Sequence, residues 1–252
     1  MKIIISPAKK MNVDTDSFEV TGVPRFIDNT MILMHEIQSL SLSEAKALWK
    51  CNDKLAELNY ERYNDMDLVH KLTPAVIAYE GLQYQHMAPG VFTTEALLYI
   101  SDHLRILSGF YGILKPFDGV TPYRLEMQAK LSVNSCKDLY NFWGDLLYQS
   151  LVDDDRIIIN LASKEYSQCI EKYITSKDQF ITIEFGELVD GKVKQKGTLA
   201  KMARGAMVRF MAENNISDLN DIKDFHELGF AYSKELSNAA KYVFVTRGDW
   251  LP

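Results

Sequence analysis

The sequence predicts an α/β (α+β) fold, a single domain over residues 1–252 whose central mixed β-sheet is flanked by helices. Short apolar runs that suit buried strands alternate along the chain with longer amphipathic segments that suit helices. Of the 252 residues, 47% are hydrophobic and 25% are charged, which is an ordinary globular composition. No repeat, low-complexity tract or linker-like stretch divides the chain, so we expect one domain.

The strands are predicted by apolar runs that end at turn residues. These runs are "KIIIS" (2–6), "AVIAYEG" (75–81), "RIIINLAS" (156–163) and "AAKYVFVTR" (239–247). The continuous apolar run of the third suits the centre of a parallel or mixed sheet. Another strand or extended segment is predicted to stop at Pro116. "FITIEFGELVDGKVKQKG" alternates on both sides of Asp190-Gly191, which is typical of a β-hairpin.

Helical periodicity predicts the other elements. The pattern is helical over about 29–70, where Ser41 and Glu44 have the spacing of a capping box. A tight turn between two helices is predicted around 58–59 in this region. Further helices are predicted from Thr94, over 137–151 with Ser135 opening it, over 163–174, and over 198–215.

The charge and the spacing of cysteines and histidines exclude several classes of protein. A formal net charge of −6 means that any nucleic-acid contact must come from a local basic patch. Three cysteines without a CxxC pair fit a reduced cytosolic protein, and five histidines without HxxxH or HxxEH spacing predict no metal site. We expect no cofactor. No signal-like or membrane-spanning run is present, so we expect a cytoplasmic protein without a membrane partner.

The segment Lys192–Arg209 is the longest basic stretch, with six positive residues and no acidic one. At helical spacing, Lys201, Arg204 and Arg209 fall opposite the apolar face. Gly205 lies among them, where a small residue would let a ligand approach the backbone. The segment is therefore either an anion-binding face or the solvated face of an amphipathic helix.

Serine and lysine follow two of the predicted strands. Ser6, Lys9 and Lys10 come after the first strand, and Ser163 and Lys164 come after the third. If these strands are parallel neighbours, both sets reach the edge of the sheet where ligands of open α/β sheets usually bind. The sequence predicts an anion site there, on the condition that the strands run parallel.

The stretch "TPYRLEMQ" supplies further candidates. Arg124 can bind a phosphate or carboxylate in a bidentate manner, or it can form a structural pair with Glu126. Tyr123, Glu126 and Asp145, together with the first-strand serine, are candidates for proton transfer. Cys136 follows the predicted cap and is either a reactive or an inert thiol. No G-x-S-x-G, P-loop or G-x-G-x-x-G motif is present, so the sequence identifies no catalytic motif.

Together these stretches resemble the YaaA-type peroxide stress proteins of bacteria. The resemblance runs nearly from end to end and includes "IIISPAK", "LRILSGFYGILKPFD", "PYRLEM", "KDLYNFWGD", "INLASKEY" and "KMARGAMVRF". It implies a cytoplasmic protein of unusual α/β fold with a positively charged cleft. It also implies binding of duplex and branched DNA, a link to recombinational repair, and protection against hydrogen peroxide with lower available iron.

The resemblance further implies a helix-hairpin-helix element, which maps onto about residues 42–66. The glycine–hydrophobic–glycine core that such hairpins use to bind a DNA phosphate is replaced here by Glu57-Leu58-Asn59. Asn59 can take a left-handed conformation, whereas Glu57 would repel phosphate. Arg62 could still contact the DNA backbone.

Two functions follow from these observations. The first is a non-enzymatic DNA-binding protein whose anion-binding residues are Lys9, Lys10, Arg62, Arg124, Lys164, Lys201, Arg204 and Arg209. The second is an enzyme that binds a small anionic or nucleotide-like substrate with the same basic residues and transfers protons through Ser6, Tyr123, Glu126 or Asp145. DNA binding requires basic groups spread along a groove, whereas a small-molecule enzyme requires a convergent pocket and a carboxylate of perturbed pKa.

Overall fold

The structure, a computed structural model, describes residues 1–189 and 192–246. The strands are β1 (Lys2–Ile5), β2 (Lys10–Met11), β3 (Thr73–Pro74), β4 (Tyr79–Glu80), β5 (Leu104–Ser108), β6 (Gly112–Leu114), β7 (Gly119–Val120), β8 (Ile157–Asn160), β9 (Gln179–Val189), β10 (Lys192–Lys194), β11 (Ala231–Tyr232) and β12 (Lys241–Thr246). The helices are α1 (Ile27–Gln38), α2 (Leu42–Trp49), α3 (Asp53–Asn64), α4 (Ala75–Ala78), α5 (Leu82–Met87), α6 (Thr94–His103), α7 (Leu139–Trp143), α8 (Leu146–Leu151), α9 (Lys164–Glu171) and α10 (Gly197–Glu213). Short 3-10 turns cover Pro89–Val91, Asp221–Asp224 and Glu227–Gly229.

The main sheet has the strand order β11-β12-β9-β8-β1-β5-β6, and β10 pairs with β9. The central pairs β12–β9, β9–β8, β8–β1 and β1–β5 are parallel, whereas β11, β6 and β10 pair antiparallel with their neighbours. Helices flank this sheet. The predicted α/β fold with a central mixed sheet is therefore confirmed.

The first strand forms the centre of the core. Ile3, Ile4 and Ile5 are fully buried, as expected for a parallel strand that is covered on both faces. In register, Ile3 lies between Leu104 of β5 and Ile159 of β8. The "KIIIS" run thus became a strand because burial on both faces requires an unbroken apolar sequence.

The run "AVIAYEG" does not form the predicted strand. Its first part is the short helix α4, and only Tyr79–Glu80 is extended, as β4. The amides of Ala75 and Val76 donate to the carbonyls of Asp118 and Pro116, which satisfies the start of the helix. A short buried helix and a buried strand have the same apolar pattern, so periodicity could not separate them.

The predicted tight turn around 58–59 is also wrong. Those residues lie inside the continuous helix α3, where the Asn59 side chain is buried and donates to the Leu55 carbonyl. The connection comes earlier, where Lys50 has a left-handed φ of 46° and Asn52 caps α3. The capping box of Ser41, by contrast, is present and begins α2. The segment 42–66 is thus two helices joined by residues 50–52.

The predicted helix over 137–151 is divided in two by Gly144, whose φ is +52°. It begins with Asp138 as cap, which accepts from the Asn141 amide, rather than with Ser135. Cys136 lies in a turn before this helix, where its amide donates to the Val133 carbonyl. Cys136 therefore precedes the cap of the helix instead of lying in its first turn.

The remaining elements follow the prediction closely. Strands β5 and β6 form an antiparallel hairpin before Pro116, and β8, α9, α10 and β12 lie where the sequence places them. The proposed hairpin residues Asp190-Gly191 and the end of the last predicted strand, Arg247, lie outside the described residues, although β9 and β10 on either side do pair antiparallel. Across the described ranges, we find no helix with the length and apolarity needed to span a membrane.

Candidate anion-binding site

A cavity of about 360 Å³ lies beyond the carboxyl ends of β1 and β8. Segments far apart in the chain form its walls: the loop after β1, the start of α5, the stretch 123–126, the start of α9, and α10. The structure brings eight predicted candidates together here, namely Ser6, Lys9, Lys10, Tyr123, Arg124, Glu126, Lys201 and Arg204.

The parallel pairing of β1 and β8, on which the predicted site depended, is confirmed. It places Ser6 beside Ser163, whose backbone amide donates to the Ser6 hydroxyl oxygen at 2.8 Å. The Ser6 hydroxyl donates in turn to the Ser163 hydroxyl at 3.2 Å. Tyr84 donates its hydroxyl to the Ser6 carbonyl at 2.9 Å. Ser6 therefore joins β1, α5 and α9, and its hydroxyl is engaged in structural hydrogen bonds.

Helix α10 packs directly against α5 through Gly205. A Cβ atom at this position would lie 1.9 Å from the carbonyl oxygen of Gln83. The glycine is needed for helix–helix contact, so our expectation that it opens the backbone to a ligand is wrong. This close packing also explains why α10 is buried on more than its predicted apolar side.

Arg204 occupies the resulting wall of the cavity and is half-buried. Burial lowers the pKa of its guanidinium, and no carboxylate acts in the opposite direction. Its Nε is buried without a hydrogen-bond partner, and no ion pair holds Arg204 among the described residues. A desolvated guanidinium normally has an anionic partner, so this wall has an unmet requirement for an anion.

The lysines of the cavity differ in whether they form ion pairs within the protein. Lys201 is exposed at the edge of the cavity. Lys10 pairs with Glu80 at 2.6 Å, and Lys9 pairs with Glu126 at 2.9 Å, both through exposed ammonium groups. Exposed pairs of this kind are weak and exchange readily with a ligand anion.

Two carboxylates lie in the same cavity. Glu126 contacts both Lys9, at 2.9 Å, and Arg124, at 3.4 Å. Glu165, which the sequence reasoning did not select, lines the cavity from the first turn of α9. Burial raises the pKa of Glu165, the charge of Glu126 raises it further, and Lys9 and a hydrogen bond from the Gln128 amide lower it. The signal for Glu165 was present in "INLASKEY", immediately after the second strand-end serine.

Tyr123 belongs to a buried chain of hydroxyl groups. Its hydroxyl lies 2.7 Å from that of Tyr79 and 2.6 Å from that of Ser108. Because Ser108 already accepts from the amides of Phe110 and Tyr111, its hydroxyl proton is directed to Tyr123. Burial raises the pKa of Tyr123 to about 12. Tyr123 is therefore a neutral phenol near pH 7 and cannot act there as a strong base.

Four predicted candidates lie elsewhere. Arg62 donates to Asn59 on α3, and Lys164 pairs with Glu171 along α9. Arg209 pairs with Glu213 at 2.8 Å and borders a second cavity of about 390 Å³. Asp145 is exposed and accepts from Gln149. Helical direction explains these outcomes, because residues of one helix point to different sides.

Metal ligands are not grouped in the part of the chain that the structure describes. No cluster there brings three or more histidine, cysteine, aspartate or glutamate residues together. Cys51, Cys136 and Cys169 are free thiols, and burial raises the pKa of Cys169 to about 12. The expectation that the protein uses no metal and no cofactor stays a prediction.

Comparison with known proteins relates the whole chain to one family. The family described as "Peroxide stress protein YaaA" matches residues 1–236. A "UPF0246 protein" of Agathobacter rectalis is 59% identical over 244 residues, covering 97% of this chain and 98% of the relative. A UPF0246 protein of Lachnoclostridium phytofermentans is 56% identical, covering 97% and 96% of the two chains, and one of Pediococcus pentosaceus is 54% identical, covering 97% and 98%. The resemblance noted from the motifs is thus confirmed, and the chain belongs to the YaaA (UPF0246) family of peroxide stress proteins.

Proposed function

We propose that the protein takes part in protection against peroxide by binding a phosphate-bearing nucleotide in the cavity beyond β1 and β8. The nucleotide is either free or part of a DNA chain, since both present the same phosphate chemistry. The observation that carries the proposal is Arg204, whose half-buried guanidinium lines the cavity without an anionic partner in the described chain. A bound phosphate would supply that partner and two or more charge-assisted hydrogen bonds.

The convergence of the site favours a ligand of nucleotide size. Basic side chains from three separate segments meet around a volume of about 360 Å³. Cavities of about 300–1,000 Å³ are typical of small-molecule sites. The half-buried Glu165, with its raised pKa, is the perturbed carboxylate that an enzyme acting on a small anionic substrate would require. This geometry therefore supports the small-substrate reading best.

DNA, duplex or branched, is the second candidate, and the exposed lysines favour it. Lys9, Lys10 and Lys201 lie at the edge of the cavity with solvent-exposed side chains. If one nucleotide entered the cavity, these three lysines would be placed to contact the phosphates on either side of it. The protein would then protect against peroxide by binding to DNA in the cytoplasm. Limitation of available iron and a part in repair rest on the family resemblance alone.

The test is binding measured by calorimetry and fluorescence anisotropy with two kinds of ligand. The first kind is a 5′-nucleoside monophosphate, and the second is a short duplex and a four-way junction, each over a range of salt concentrations. We compare the native protein with Arg204→Gln, and with Lys164→Gln as control, because Lys164 carries the same charge but pairs with Glu171 away from the cavity.

We expect Arg204→Gln to weaken binding by roughly tenfold to a hundredfold, since a hydrogen bond to a charged group contributes about 1.5–3 kcal/mol. Lys164→Gln should change the affinity by less than twofold. For DNA, the fall of log K with log salt should have a slope of about −0.9 for each phosphate neutralised. Equal losses in both variants, or no binding of any of these ligands, would refute the proposal. Mass analysis of the recovered nucleotide separates a bound ligand from a substrate that is converted.

A further inference from the structure

Two sets of charged groups line the cavity from different segments of the chain, besides the Lys10–Glu80 pair. The first set is on α10 and consists of Arg204 and Lys201. The second consists of Lys9, Arg124, Glu126 and Glu165. Arg204 forms no ion pair with a described residue, whereas the charges of Glu126 and Lys9 act on Glu165 in opposite directions, Glu126 raising its pKa and Lys9 lowering it. The wall on α10 therefore carries only cations, and the other set also carries carboxylates.

Of the two carboxylates in the second set, only one is neutralised. Glu126 contacts both Lys9 and Arg124, so its charge is balanced within the site. Glu165 has no salt bridge among the described residues, and one of its oxygens accepts from the Gln128 amide at 3.3 Å. A half-buried carboxylate that lines a cavity and forms no ion pair is stabilised by hydrogen-bond donors on a ligand.

Aromatic side chains also line this cavity. Tyr84, Tyr123 and Tyr166 are buried and line the same cavity. Aromatic rings in a cavity wall suit the flat, partly apolar surface of a nucleobase. A ligand with a phosphate, a flat ring and ring-edge N–H donors meets all three features, and a simple inorganic anion meets only the first.

We propose that Glu165 recognises the base of the bound nucleotide, by accepting hydrogen bonds from its amino or imino N–H groups while Arg204 holds the phosphate. This inference rests on the proposed function and assigns the substrate class of the same cavity as a nucleotide whose base carries such a donor. A base without a donor would bury Glu165 against a group that cannot bond to it. Sites built to hydrogen-bond a ligand reject the analogue that lacks the group, because their own polar atoms are then left unpaired.

The experiment compares nucleotides whose bases have or lack an N–H donor, with two phosphate compounds that contain no base. Dissociation constants are measured for the four common 5′-monophosphates, for purine riboside 5′-monophosphate, whose base has no N–H donor, for pyrophosphate and for phosphoethanolamine. The proteins are the native chain, Glu165→Gln and Arg204→Gln. We expect at least one common nucleotide to bind tenfold or more tightly than the purine riboside compound. Glu165→Gln should remove most of that preference and leave pyrophosphate binding unchanged or stronger.

The outcomes separate this inference from the proposed function. If pyrophosphate binds in an Arg204-dependent manner but the native protein has no preference for donor-bearing bases, the inference is wrong and the proposed function stands. A preference that Glu165→Gln leaves intact overturns it in the same way. If phosphoethanolamine binds more tightly than every nucleotide, Glu165 holds an ammonium group and the assignment of a nucleobase is wrong. If Arg204→Gln changes no affinity, the proposed function itself fails.

Discussion

The contact between Gly205 and the carbonyl of Gln83 gives the sharpest test of the packing that forms the cavity. In Gly205→Ala, the new Cβ would lie 1.9 Å from that oxygen and 3.0 Å from the amide nitrogen of Met87. Ordinary contacts begin at 3.4 Å, so α10 and α5 would have to separate by about 1.5 Å. Both clashing atoms belong to the backbone, and a change of rotamer cannot relieve them.

The free-energy cost of Gly205→Ala depends on the packing that is disturbed when α10 and α5 separate. Overpacking in a close-packed interior costs about 1–3 kcal/mol, against which alanine regains about 0.5–1 kcal/mol of helix propensity over glycine. Helix α5 cannot move freely, because Tyr84 and Gln83 both donate to the carbonyl of Ser6 at the end of β1. We therefore expect a net loss of about 2 kcal/mol, the upper overpacking cost less the gain in helix propensity. Each kcal/mol lowers Tm by roughly 2–4 °C in a chain of this size.

The assay is thermal unfolding followed by circular dichroism, with Gly197→Ala as the matched control. Gly197 begins the same helix, is exposed, and has no atom within 4 Å of its Cβ position. Gly197→Ala should leave Tm unchanged or raise it slightly, whereas Gly205→Ala should lower Tm by several degrees. It should also weaken nucleotide binding, because Arg204 and Gln83 line the cavity on the two helices that separate. Equal Tm values for the two variants would refute the close contact.

Three further predictions concern the polar groups of the cavity. Tyr123→Phe removes the hydroxyl bonded to Ser108 and Tyr79 and leaves buried hydroxyls unpaired. It should lower the free energy of unfolding, measured in urea, by about 1–3 kcal/mol. An unchanged urea midpoint would contradict the hydrogen bonds between these hydroxyls. The pKa of Glu165 is raised above its ordinary value of 4.5, so its contribution to folding is fully present below pH 4.5 and is lost as the pH rises through the folded-state pKa. Glu165→Gln should therefore have a higher Tm than the native protein at pH 7 and an equal one below pH 4.5, and a Tm difference independent of pH would count against this. Arg204→Gln should raise the Tm of the ligand-free protein, because it removes a desolvated charge without a partner; a lower Tm would indicate a partner within the chain.

The sequence correctly predicted those elements whose local pattern of apolar and capping residues matches their place in the fold. Ile3, Ile4 and Ile5 form the predicted central strand, and the Ser41 capping box begins a helix. It failed where tertiary contacts decide the outcome. The run at 75–81 became a short helix because Asp118 and Pro116 supply its first acceptors, and no local pattern reports those partners.

The candidate site was predictable in its types of residue and less so in their positions. Ser6, Lys9, Lys10 and Ser163 lie at one edge of the sheet as predicted, because parallel neighbours present their carboxyl ends together, whereas Lys164 pairs with Glu171 away from it. Arg204 and Arg209 are five residues apart on α10 and therefore point to different sides, so that only Arg204 lines the first cavity. Which side faces that cavity depends on how α10 packs against α5, where Gly205 makes the close contact. Helical periodicity placed both arginines on the solvated face, since it has no information about a second helix packed there.

Two groups of the cavity destabilise the ligand-free protein, so we expect a ligand to reverse the order of stability of the native protein and Arg204→Gln. Without a ligand, the unpaired charge of Arg204 and the half-buried carboxylate of Glu165 both oppose folding. A ligand that binds only the folded state adds about 2.7 kcal/mol of stability at a concentration one hundred times its Kd. The native protein should therefore be less stable than Arg204→Gln in plain buffer and more stable than it when nucleotide is present. Removal of a cation that had only a structural role would lower or raise Tm equally under both conditions, so the crossing of the two Tm values identifies Arg204 as a ligand-binding residue.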